Sequence, residues 1–108
     1  MDKDQIKRKV LAAYDEARRY PNFRERFKVE IQAVIDSVIP GSVTEPYHVY
    51  HDIDHISDQA KKQGYRTGEY LHIVTNYVCM LIEAYQKGNN TIGQADQTDL
   101  FSELDDKD

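Results

Sequence analysis

The sequence has one cysteine, no tryptophan, three prolines and five glycines in 108 residues. A single cysteine excludes an internal disulfide and a cysteine-built zinc site, which fits a reducing cytoplasm. The longest apolar run, Val78-Cys79-Met80-Leu81-Ile82, falls far short of the about 20 residues a membrane-spanning helix needs. No basic stretch leading into an apolar one stands at the start, so no signal peptide is expected. No repeat or low-complexity run is present. With 40% hydrophobic and 31% charged residues, the chain is polar and lean, and its length suits one domain at most. A chain of this size buries only about two-thirds of its unfolded surface, so every apolar position counts.

Basic charge is not in excess either. The formal net charge is −5, and it is unevenly placed. Residues 1–87 are neutral, with 13 basic and 13 acidic side chains, whereas residues 88–108 hold six acids against Lys107. The folded part therefore carries no overall charge that would favour nucleic acid. A local basic patch remains on the first helix (Lys3, Lys7, Arg8, Lys9, Arg18, Arg19), expected to be a solvated face or to pair with the acidic segment that follows.

Four helices are legible. Ile6, Val10, Ala13, Tyr14 and Ala17 mark one face of a helix from about Lys3 to Tyr20, ended by Pro21. Asn22, with Glu25 three residues on, reads as the capping box of a second helix with the stripe Phe27, Ile31, Val34, Ile35, Val38. Pro40-Gly41-Ser42 breaks it. Thr44 or Glu45 begins a third, with Pro46 in its first turn and Val49, Ile53, Ile56 and Ala60 on its apolar face. Gly64 is its expected C-terminal cap.

Thr67 is the expected N-cap of the fourth helix, which Gly88 ends. Tyr70, Leu71, Ile73, Val74, Tyr77, Val78, Leu81, Ile82 and Tyr85 cover over half its circumference, the pattern of a helix surrounded by others. The expected fold is all-α: a small four-helix bundle over residues 1–88, followed by a flexible acidic tail over 89–108 that is too polar to offset its ordering entropy. Eight tyrosines are expected at the core rim, some facing a partner.

Three of the four histidines lie between Pro46 and Ile56. On a helix His48, His51 and His55 fall within about 60° of one another and point roughly 140° from the local apolar stripe. His51 and His55, four residues apart, have a spacing that can chelate a transition metal. Tyr47-His48, His51-Asp52 and His55-Ile56 resemble the first metal-binding helix of HD-type phosphohydrolases. That family also needs a His-Asp pair and a further Asp on later helices, and beyond Asp58 only His72 follows, without an adjacent Asp. The expectation is a polar face, with no metal or other cofactor, His48, His51 and His55 being the only metal candidates. Cys79, amid apolar residues, is expected to fill core space.

The tail contains Gln97-Thr98-Asp99-Leu100-Phe101. This resembles the short peptide by which many bacterial replication and repair proteins bind the DNA sliding clamp, of general form Gln-x-(Asp/Ser)-Leu-Phe. Gln97, Asp99, Leu100 and Phe101 match, and Thr98 replaces the leucine often found second. The resemblance implies a protein-binding tether: Leu100 and Phe101 enter an apolar pocket, Gln97 fixes register and Asp99 shapes the turn. It implies a non-enzymatic, cytoplasmic accessory protein of replication or repair. Two other readings stay open. One is a small helical inhibitor, since bacteriocin immunity proteins are also four-helix bundles with a flexible C-terminus. The other is a metal-binding hydrolase-like protein using His48, His51 and His55. Leu100, Phe101 and Leu104 have a spacing that also permits docking back on the bundle.

Overall fold

A computed structural model describes residues 2–39 and 46–86 of the chain. They form α1 (Lys3–Ala17), α2 (Phe23–Val38), α3 (Pro46–Gln63) and α4 (Thr67–Gln86), with no strand among the described residues. The all-α expectation holds. Cross-helix pairs set the directions. Arg24 and Lys28 at the start of α2 meet Asp58 and Asp54 toward the end of α3. Ser57 meets Tyr70, and Asp52 meets Tyr77, so α3 and α4 are also antiparallel. The result is an up-down-up-down bundle in which α1 packs on α2 and α4 and lies across from α3.

The stripes read from the sequence face inward. Ile6, Val10, Ala13 and Ala17 of α1 are buried, as are Phe27, Ile31 and Ile35 of α2 and all four apolar-face residues of α3. From α4, Leu71, Ile73, Val74, Tyr77, Val78, Leu81 and Ile82 are buried, as expected of a helix surrounded by others. Tyr14, Val34 and Val38 pack against this core only in part, and Tyr85, near the end of α4, stays exposed. No helix among the described residues is long and apolar enough to cross a membrane.

The helix ends correct several expectations. Helix α1 stops at Ala17, not Tyr20: Arg19 and Tyr20 donate to the carbonyls of Glu16 and Ala17, three residues back, in a tightened turn. Pro21 keeps Tyr20 out of helical geometry, so the helix closes in this tighter turn before it. Its start carries a capping box: Asp2 Oδ1 accepts from Gln5 N–H at 2.9 Å, and Gln5 Oε1 accepts from Asp2 N–H at 3.1 Å. Asn22 occupies the N-cap of α2, but its side chain makes no capping hydrogen bond, so the expected box with Glu25 does not form. Glu25 turns instead to Lys28, 3.0 Å away.

Thr67 is the first residue of α4 rather than its cap. Arg66 takes the cap position, its carbonyl accepting from Tyr70 N–H and its own N–H donating to Glu69 Oε1 at 2.9 Å. Gly64 caps α3 as expected, at φ +71°. Tyr65 N–H donates to Ala60 and Gly64 N–H to Lys61, the paired bonds of a Schellman turn. Lys61 and Lys62 sit in the last turn of α3, where the helix dipole favours cations.

Among the described residues the acidic segment pairs with basic residues of α2 rather than with those of α1. Asp54 and Asp58 are bound by Arg24 and Lys28 of α2, because α1 lies across the bundle from α3. Lys28 is buried, unlike most lysines. Its stem is covered, and its ammonium lies 3.0 Å from both Glu25 and Asp54. Burial pulls its pKa down, but the bonds to Asp54 and Glu25 outweigh this and leave it above the usual lysine value. Buried Thr75 donates its hydroxyl to the Leu71 carbonyl one turn back, at 2.8 Å.

Candidate binding site

The turn at Pro21 folds α2 back along α1 and brings Tyr14 against Phe23, ring centroids 5.4 Å apart and edge-on. Phe23 stacks on Phe27 at 5.4 Å, and Phe27 meets Tyr70 of α4 at 5.9 Å. Each contact has the offset or tilted geometry that aromatic quadrupoles favour. The rings form a continuous aromatic wall at one end of the bundle, where α1 and α3 end and α2 and α4 begin.

Tyr14, Phe23 and Tyr70 of this wall line a cleft of about 330 Å³, completed by Ser57, Ala60, Lys61, Tyr65 and Thr67, with Phe27 buried behind them. At its floor the Ser57 and Tyr70 hydroxyls are hydrogen-bonded at 2.8 Å. Burial pushes the Tyr70 phenol up to about 12, so it remains a neutral hydroxyl at physiological pH. Arg24 lines the cleft while its guanidinium donates to Asp58 at 2.9 Å. The lining thus combines apolar rings and one hydroxyl pair with two basic side chains, Arg24, which is paired with Asp58, and Lys61. The sequence signalled only an excess of tyrosine. Tyr14, Phe23, Tyr65 and Tyr70 come from separate segments and form no motif, so only their packing reveals the cleft.

Among the histidines, His51 and His55 are exposed and His48 is half-buried on the same side of α3. They project away from the core as expected. Among the described residues, no group of three or more His, Cys, Asp or Glu side chains is placed to hold a metal ion. The nearby carboxylate has another engagement: Asp52 accepts a hydrogen bond from the Tyr77 hydroxyl at 2.9 Å. Burial raises the Asp52 pKa, opposed by that bond and by the charges of His51, His48 and His55. The Tyr77 phenol is pushed far up by burial and by the adjacent Asp52 carboxylate. The pair joins α3 to α4 and is absent from any sequence motif.

Cys79 packs against the core, half-buried, and burial pushes its thiol up, which suits a space-filling role better than a nucleophilic one. Gln97, Asp99, Leu100 and Phe101 lie outside the described residues. A scan against protein-family models, a search of curated proteins and a search of solved structures each found no match for this chain.

Proposed function

We propose that the chain is a non-enzymatic adaptor of bacterial DNA replication or repair, held to the DNA polymerase sliding clamp by residues 97–101. One observation carries this reading: Gln97, Asp99, Leu100 and Phe101 reproduce the clamp-binding pattern, within a segment whose other large apolar residues are Ile92 and Leu104 alone. Leu100 and Phe101 gain nothing in water, and burying both in a clamp pocket offers roughly 3–6 kcal/mol before ordering costs. Gln97 supplies the polar contacts that fix register, and Asp99 shapes the turn into the pair. The ten residues 87–96 between α4 and the motif give a tether that extends up to about 33 Å. The expected affinity is micromolar, raised by avidity on an oligomeric clamp.

The test is capture by purified sliding clamp of the full chain and of a Leu100→Ala/Phe101→Ala variant. Binding by the wild type and a loss of at least about tenfold in the variant is the expected result, corresponding to about 1.4 kcal/mol or more. Equal capture of both, or of neither, removes the reading.

A further inference from the structure

We infer that the aromatic cleft at the Tyr14–Tyr70 end of the bundle is a docking site for the chain's own acidic C-terminal segment, with Leu100 and Phe101 as its occupants. The cleft measures about 330 Å³. A cavity of about 150 Å³ holds a benzene ring, so the space suits two large apolar side chains. The aromatic wall offers edges and faces to a phenylalanine ring.

Charge selects the same segment. Between residues 61 and 66 the chain has Lys61, Lys62 and Arg66 and no acid. All three are exposed, and none is in an ion pair among the described residues. Lys61 itself lines the cleft. The occupant that complements this edge is acidic and carries adjacent large apolar residues. Asp96, Asp99, Glu103, Asp105 and Asp106 surround Leu100 and Phe101. Because residues 1–87 are neutral overall, the attraction is local to this end.

Chain length permits the contact. Thr67 and Tyr70, at the start of α4, line the cleft, while α4, 20 residues long, ends at Gln86. The segment must therefore return about 30 Å along the helix. The 14 residues from Gln86 to Leu100 reach up to about 46 Å. Docking and clamp binding draw on the same dipeptide, so each excludes the other, and docking lowers the apparent affinity for the clamp. The docking itself does not depend on the clamp reading.

Amide NMR spectra of the full chain test this, without clamp present. Two variants are compared with wild type: Leu100→Ala/Phe101→Ala, and a deletion of residues 88–95. The deleted stretch is uncharged and leaves the motif intact. It leaves five residues between Gln86 and Leu100, six residue steps with a reach of about 20 Å, too short to return to the cleft. The expected result is that both variants move the amide resonances of Ser57, Lys61, Tyr65 and Tyr70 in the same direction. A Lys61→Glu/Lys62→Glu variant gives a partial shift along the same path. Unmoved cleft resonances in both overturn the inference, as do shifts confined to another face. Shifts in the alanine variant alone, with the deletion behaving as wild type, assign the cleft to a second copy's tail and overturn the intramolecular form. If cleft resonances move but clamp captures nothing, the docking stands and the adaptor reading falls; the reverse pattern separates them the other way.

Discussion

The Tyr77 hydroxyl donates to Asp52 at 2.9 Å, tying the half-buried carboxylate of α3 to the centre of α4. Tyr77 is the largest fully buried side chain among the described residues, and its hydroxyl is met by Asp52, a half-buried residue. The bond satisfies a phenol that would otherwise be desolvated without a partner.

This relationship predicts a pH dependence. Burial raises the Asp52 pKa in the folded protein above its ordinary 3.8, so the folded state binds that proton more tightly than the unfolded chain. The contribution of Asp52 is then fully favourable below 3.8 and is lost as pH rises through the raised value. An Asp52→Asn variant does not ionise and can still accept from Tyr77. It is expected to match wild type at about pH 3 and to become the more stable of the two toward pH 7. Urea unfolding of both proteins across that range checks the sign; a variant that loses stability relative to wild type between pH 3 and pH 7 refutes it. Tyr77→Phe is expected to cost about 1–2 kcal/mol at neutral pH, since it leaves the carboxylate short of a donor.

Lys28 separates packing from charge. Its ion pairs with Glu25 and Asp54 involve carboxylates 68% and 36% exposed, so water can replace much of what the ammonium supplies. Lys28→Met keeps the stem and is expected to change stability by less than about 1 kcal/mol. Lys28→Ala removes about three methylene-sized groups from a buried position and is expected to cost about 2 kcal/mol more. Denaturant midpoints for the two variants decide it, and equal values would show that the stem contributes nothing.

Gly64 isolates a backbone effect. A side-chain carbon added there meets nothing within 4 Å, yet φ is +71°. Gly64→Ala is therefore expected to destabilise by about 1–2 kcal/mol through conformation alone. Gly64→Asn should recover part of the loss, because asparagine tolerates the left-handed region. An unchanged midpoint in Gly64→Ala would mean that the α3–α4 turn can re-form in another geometry.

Helix number, the inward faces and the Gly64 cap were legible because each depends on residues close in sequence. An apolar side chain every three or four positions specifies a face wherever the helix later docks, and a left-handed cap needs glycine whatever surrounds it. The direction in which the histidines project was legible for the same reason. Cap partners were less so. Asn22 and Thr67 have the residue types of caps, but Glu25 was drawn to Lys28, and Glu69 bonded the Arg66 N–H. Which of several partners within one helical turn wins is invisible in a pattern.

The sequence by itself determined that this chain makes four amphipathic helices, places all of its net charge beyond residue 87 and carries one clamp-like pentapeptide. Only the tertiary structure decided that Arg24 and Lys28, rather than the cations of α1, meet Asp54 and Asp58. It also decided that Asp52 serves Tyr77, and that Tyr14, Phe23, Phe27 and Tyr70 converge into one wall. The contacts between helices among them join residues between 9 and 43 positions apart, or follow from which helices are neighbours and which are diagonal. Periodicity fixes the face a helix buries; only packing fixes what that face meets.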